Sequence, residues 1–312
     1  MNPAPHTAEA WPIAAAMLPF GSKDSHGGPI HDAEPEEWAK HLRLVRRIGF
    51  TEVDPTDSWV RVGDLSSERL AEFKSVLTDV GLTIPAISTS RRSVMDPEHG
   101  EEYLAYSHRL LDKAAELGVP MVSFGFFQAF TEEQQRALWF WLADGWHDDE
   151  SPQARSRAVL LIRELAEHAA RNGQQITLEM YEDTYLGTCD DAVQFLKEVG
   201  HDACGLNPDI GNFIRLHRPI EPVQDMLDKV LPYTNYWHVK NYLRDEDPVT
   251  GQVMTFPVPM EFGLINYRAA ISQALDVGFR GAFLCEHYGS DAITVIGRNC
   301  AYIRDILATL ID

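Results

Sequence analysis

Residues 176–209 read ITLEMYEDTYLGTCDDAVQFLKEVGHDACGLNPD and contain one complete structural repeat. A short apolar run at 176–181 has the composition of a buried strand, and a loop then leads into an amphipathic helical segment at 189–199. Val199-Gly200-His201 closes that helix, because glycine takes the left-handed position after the last turn without a Cβ penalty. A second apolar run, 203–209, follows within a few residues.

The same unit recurs along the chain. Candidate strands lie at 13–19, 52–54, 84–88, 121–126, 176–181, 203–209, 236–240 and 282–287. Candidate helices lie at 36–48, 67–80, 102–117, 152–172, 189–199, 220–231, 267–277 and 294–310. Gly49, Gly81, Gly118, Gly173, Gly200 and Gly278 repeat the stop signal. Strict alternation with short returns requires parallel strands and right-handed crossovers, since two-residue hairpins cannot join parallel neighbours. Eight units predict a closed (β/α)8 barrel. The rival, a doubly wound open sheet, usually opens with a glycine-rich phosphate loop, and Phe20-Gly21-Ser22-Lys23 has neither GxGxxG nor GxxxxGK spacing.

A barrel of this kind takes about 250 residues, so the 312 residues leave a surplus. It falls in an N-terminal tail of about 1–11 and in enlarged loops after strands four (128–151) and seven (242–263), within a single barrel domain spanning 1–312. Both loops follow strands, which places them on the C-terminal face, where barrel active sites are built.

Composition narrows the function classes. With 45% hydrophobic and 24% charged residues the chain is globular, and 27 basic against 47 acidic residues give a net charge of −20. That charge opposes a nucleic-acid backbone, so no nucleic-acid partner is expected. No apolar stretch has membrane-spanning length and the first eleven residues lack a secretory pattern, so the expectation is a cytoplasmic protein without a membrane partner. Cys189, Cys204, Cys285 and Cys300 show no metal-binding spacing and read as buried thiols.

Four strands end in a candidate metal ligand: Glu179 in Thr177-Leu178-Glu179-Met180, Asp209 in Asn207-Pro208-Asp209-Ile210, His238 in Trp237-His238-Val239-Lys240, and Glu286 in Cys285-Glu286-His287-Tyr288. Each alone is as readily a helix cap or a loop hydrogen-bonder. Consecutive strands of a closed barrel bring all four ends together, and three carboxylates with one imidazole suit Mn²⁺, Mg²⁺ or Co²⁺, with Zn²⁺ also possible. Such a cation polarises a carbonyl and hydroxyl pair and acidifies the adjacent C–H for a carboxylate base. Lys240 shares the inward side of its strand with His238, where it either binds a substrate oxygen or pairs with a strand-end carboxylate. Tyr181, two residues past Glu179, is placed to face the substrate.

From 13 to 310 the chain resembles the xylose-isomerase-like barrel superfamily of sugar phosphate isomerases and epimerases, which includes ketose 3-epimerases, hydroxypyruvate isomerase and inosose dehydratase. The resemblance implies that Glu179, Asp209, His238 and Glu286 bind one divalent metal, with Mn²⁺ the expected ion. It implies that Glu179 and Glu286 are also the acid/base pair on opposite faces of the substrate, and that Arg244, six residues after His238, contacts substrate. Two positions depart from the ketose 3-epimerase pattern: Asn212 stands where a histidine is usual, and Tyr185 where a second glutamate is usual. Asn212 would then contact substrate as a neutral amide.

The expected activity is therefore sugar isomerisation or epimerisation, by proton abstraction next to a carbonyl through a metal-stabilised enediolate. The alternative is a lyase or dehydratase that eliminates across a 3-keto sugar or glycoside from the same first step. A nuclease of the related apurinic-site repair type needs more ligands and meets the opposing charge. The absence of a glycine-rich turn after strands seven and eight favours a free or keto sugar over a sugar phosphate. A homo-oligomer is expected, and Trp139, Trp141 and Trp146 serve either as a lid over the site or as a subunit interface.

Overall fold

Alternation along the first strand separates two environments. Ile13 and Ala15 face the main apolar layer between strands and helices, whereas Ala14 and Ala16 face inward and meet Ala86, Tyr236, Ala282 and Leu284. These small inward residues leave room inside the barrel for the Tyr236 ring. The structure, a computed structural model, describes residues 6–311.

Its strands are β1 (Ile13–Ala16), β2 (Glu52–Asp54), β3 (Ile87–Ser88), β4 (Met121–Phe124), β5 (Gln175–Glu179), β6 (Cys204–Asn207), β7 (Trp237–Val239), β8 (Asn241–Glu246), β9 (Val253–Val258) and β10 (Phe283–Cys285). Its helices are α1 (Pro35–Arg47), α2 (Ser67–Val80), α3 (Gly100–Leu117), α4 (Glu132–Arg136), α5 (Pro152–Arg171), α6 (Cys189–Val199), α7 (Gly211–Ile214), α8 (Val223–Val230), α9 (Tyr267–Asp276) and α10 (Ala292–Ile311). Two parallel arcs, β2-β1-β10-β7 and β3-β4-β5-β6, make up the wall. Parallel bridges from Glu52 to Thr83 and from Leu206 to Thr234 close the arcs into a ring of eight. The expected (β/α)8 barrel is what forms.

All six glycines singled out as helix stops have positive φ, from 58° at Gly200 to 107° at Gly49. Boundaries move where proline intervenes. β3 begins at Ile87, after Pro85, and α8 begins at Val223 because Pro222 holds the preceding chain extended.

Two segments are more ordered than the sequence indicates. Within the proposed tail, residues 1–5 lie outside those described, but Ala8 and Trp11 are buried, and Arg304 donates to the carbonyls of both. The Trp11 indole donates to Gly281 O at 2.9 Å, so this segment docks on the barrel. The segment after strand seven is a β8–β9 antiparallel hairpin pairing Asn241 with Val258 through Glu246 with Val253. Alternating residues in Val253-Met254-Thr255-Phe256 support it, and its turn closes on Asp247, whose carboxylate accepts from Val249 N and Thr250 N. The loop after β4 carries α4, capped by the reciprocal Thr131–Gln134 bonds, and one tight turn at Phe140–Leu142. The four cysteines are free, and among the described residues no helix is long and apolar enough to cross a membrane.

Candidate metal centre

The period of two turns Tyr236, His238 and Lys240 toward the barrel axis and leaves Trp237 and Val239 in the outer layer. Glu179 ends β5, Asp209 lies two residues past β6, and Glu286 directly follows β10. All four expected ligands are buried. One ligand atom each from Glu179, Asp209 and His238 fall within 4.8 Å of one another. Glu286 joins them, its Oε2 4.0 Å from His238 Nδ1, while Glu179 Oε2 is 3.5 Å from the same nitrogen.

Lys240 takes the ion-pairing role. Its ammonium lies 2.6 Å from Asp209 Oδ2 and donates to Glu286 Oε2 at 2.9 Å. The stem needs Gly211 beneath it, where a Cβ would come within 2.5 Å of Lys240 Cγ. Three buried carboxyls share this one ammonium, so their full ionisation would leave two negative charges uncompensated. The imidazole adds none, because burial pushes the His238 pKa down to about 3. Burial, then the charges of Asp209 and Glu286, holds the Glu179 carboxyl well above its usual range. Burial also lifts Asp209 to about 6 against the pull of Lys240. At Glu286 burial is overridden by Lys240, through its charge and its hydrogen bond, and the carboxyl sits at about 2. His238 Nδ1 and Asp209 Oδ1 are buried and have no hydrogen-bond partner. The surplus charge and the uncommitted donor atoms fit a divalent cation.

The histidine's orientation is set from outside the cluster. Asp54, at the end of β2, accepts from Ser88 N at 2.8 Å, Ser88 Oγ at 2.7 Å and Tyr236 OH at 2.8 Å. Ser88 Oγ also lies 3.2 Å from His238 Nε2. The single hydroxyl proton of Ser88 is committed to Asp54, so Nε2–H is the donor to Ser88 and the Nδ1 lone pair faces Glu179 and Glu286. Asn207 Oδ1 accepts from His238 N at 2.8 Å and fixes the strand at that point. Asp54 satisfies the criterion that selected the other strand-end acids, and scanning only strands five to eight passed over it. Ser88 and Tyr236 carry no comparable signal.

The other expected contacts divide. Asn212 donates to Glu179 Oε1 at 3.4 Å and to Met180 O at 2.9 Å, so its amide steadies a ligand. Tyr181 lines the cavity over the cluster, and its hydroxyl accepts from Arg91 at 3.1 Å. Arg244 is not brought there. Its guanidinium is taken up by the carbonyls of Ile214, Leu216 and Arg218, at 3.2, 2.5 and 2.8 Å. Trp139 and Trp141 stack at 5.0 Å, and Trp141 packs on Tyr242 and Tyr288 of the same chain; Trp146 is 47% exposed. Sequence reading also missed a buried pair in this aromatic layer, Arg215 donating to both oxygens of Glu182 at 2.7 Å.

Two cavities open above these strands. The inner one, about 60 Å³, is walled by Glu179, His238, Glu286 and Tyr288. The outer one, about 400 Å³, lies between the loops after β4, β5 and β6.

A family described as Xylose isomerase-like TIM barrel matches residues 42–306. A Xylose isomerase-like TIM barrel protein from Mycobacterium smegmatis, solved in complex with magnesium, is 51% identical, with 98% of this chain and 100% of that one covered and a TM-score of 0.96. The D-psicose 3-epimerase of Enterocloster bolteae is 22% identical over 171 residues, and the chain spans about half (53%) of that relative's length, with 53% of this chain covered. The D-psicose 3-epimerase of Clostridium cellulolyticum H10, solved with D-tagatose, shares the fold at a TM-score of 0.65 and 15% identity, covering 96% of this chain and 99% of that one.

Proposed function

The chain belongs to the xylose isomerase-like TIM barrel family, and on that premise we propose that it is a divalent-metal-dependent sugar isomerase or epimerase. The observation that carries this reading is the charge imbalance at the strand ends: three buried carboxylates, one ammonium, and two ligand atoms without partners. Glu179, Asp209, His238 and Glu286 would hold the ion, and Mn²⁺ or Mg²⁺ suits their oxygen-rich set. When bound, such an ion polarises a sugar's carbonyl and neighbouring hydroxyl and so acidifies the C–H between them.

The rest is work for the chain's own groups. One of Glu179 and Glu286 takes the proton next to the carbonyl and the other returns one, the two exchanging roles when the reaction runs backward. Lys240 holds Glu286 in place through its 2.9 Å bond. The buried floor of the inner cavity keeps bulk water off the intermediate, so the returning proton comes from the opposite carboxyl, which exchanges with solvent between turnovers.

The test is incubation of the Mn²⁺-supplied protein in D₂O with a panel of ketoses and 3-keto glycosides. Deuterium at the carbon beside the carbonyl of a recovered isomer is the expected result. An unsaturated product with a released water or aglycone would move the assignment to elimination, and a protein that binds no divalent ion would sink it altogether.

A further inference from the structure

The inner cavity is too small for a whole substrate. At about 60 Å³ it admits the reacting atoms, whereas small-molecule sites span about 300–1,000 Å³. The outer chamber, at about 400 Å³, falls in that range and shares three walls with the inner one: Arg91, Phe127 and Tyr181. These three form a built partition. Phe127 and Tyr181 pack at 5.3 Å, and Arg91 donates to Tyr181 OH at 3.1 Å and to Gln128 O at 2.8 Å while stacking 3.4 Å over Phe130. Arg91 is held there with φ at 54°, a backbone conformation that a non-glycine residue adopts at a cost.

The chamber's chemistry indicates what fills it. Its arginines are held in place, Arg91 by the neutral partners above and Arg218 by an ion pair with Asp183 at 2.9 Å. Glu182 is neutralised by Arg215, and the imidazole of His217 bonds Thr255 at 3.1 Å. Arg91 has no carboxylate partner and keeps its charge, its donors turned to neutral oxygens. Among polar neighbours such as Gln128 and Thr184, the lining carries an aromatic group, with Phe126, Phe127, Trp141 and Tyr181 inside and half-exposed Trp146 at the mouth.

We propose that the outer chamber is a subsite for a ring-bearing aglycone, so that the substrate is a glycoside whose sugar reaches the inner site past Arg91, Phe127 and Tyr181. This rests on the reading of the inner site as one that acts on a sugar. Stacking of a ring on aromatic walls favours an aryl over an alkyl aglycone.

The test titrates the full-length, Mg²⁺-supplied protein with phenyl and methyl β-glucosides and their 3-keto forms, followed by calorimetry and tryptophan fluorescence. The phenyl compounds are expected to bind at least about tenfold tighter, in line with one aromatic contact. Trp146→Ala removes a wall and Ala129→Trp fills the chamber from its exposed edge, and each is expected to bring the ratio toward one while the melting temperature reports an intact fold. Equal affinity for phenyl and methyl glucosides, or a preference that survives both substitutions, overturns the proposal. The deuterium experiment separates the two readings: exchange without aryl preference removes the subsite alone, and aryl preference without exchange removes the sugar chemistry alone.

Discussion

Two groups of buried charges sit at the C-terminal ends of the strands, and they are built differently. Arg215 and Glu182 form a matched pair, both oxygens of one carboxylate on one guanidinium nitrogen, with the Arg215 head 4.8 Å from the Phe140 ring and 5.1 Å from the Tyr181 ring. Glu179, Asp209 and Glu286 share a single ammonium and, all ionised, would be two charges short of balance. The pair balances its own charge, although Arg215 Nε and Nη1 are buried without hydrogen-bond partners and face the aromatic layer instead. In an open cluster the carboxyls repel one another when ionised, and a divalent cation would relieve that repulsion.

The largest effect expected from breaking this contrast is at the open cluster. Glu179→Gln removes one repelled carboxylate, and bound divalent ion, read by elemental analysis, is expected to fall from one equivalent to none, with turnover lost by roughly 10²–10³-fold or more. In chelator the same variant is expected to melt no lower than wild type, because its carboxyl gains nothing from ionising there. A lower melt in chelator would mean that the acid is structural. At the closed pair the opposite holds. Glu182→Leu strands a buried guanidinium and is expected to cost about 3–5 kcal/mol in denaturant unfolding, most of it recovered by adding Arg215→Met. A silent single variant would show that the pair is not closed.

Two smaller effects sharpen the same contrast. Ser88→Ala cuts the link from Asp54 to His238 and is expected to weaken Mn²⁺ binding roughly 10–100-fold by calorimetry, with the ¹⁵N spectrum of His238 reporting a changed tautomer. An unchanged affinity would detach the serine from the metal site. Asp148 is an intermediate case, a carboxylate with a 2.9 Å bond from Tyr185 N and no ion-pair partner, lifted by burial to about 7. Its raised folded pKa stabilises the protein fully below about pH 4, the usual range of a free carboxyl, and that stability is lost as pH rises to about 7. Relative to wild type, Asp148→Asn is therefore expected to gain stability across this window, to a plateau of order 1 kcal/mol, discounted because the group is only partly buried. A gain that does not vary with pH would show that the amide acts through packing.

Much of this was legible in the chain because it depends on local spacing. A glycine after a helix has positive φ wherever the chain must turn back into a strand, and all six stops behave so. His238 and Lys240 share a face because strands alternate. The hairpin at β8 and β9 was less visible, since its strands follow a barrel strand directly and Pro257 interrupts the second. The destination of Arg244 was not legible at all: its carbonyl partners belong to the segment after β6, 26 to 30 positions earlier in the chain.

By itself the sequence determined the repeat, the closure into eight strands and the convergence of four strand-end side chains, because periodicity and handedness are properties of neighbouring residues. Only the tertiary structure decided which charges are matched and which are left open. Asp54 reaches His238 through Ser88 across 184 positions of chain, Lys240 finds Asp209 rather than solvent, and Arg91 divides two chambers. Hydrogen-bond partners and buried countercharges are chosen in three dimensions, by whichever group lies within about 3 Å when the ring closes.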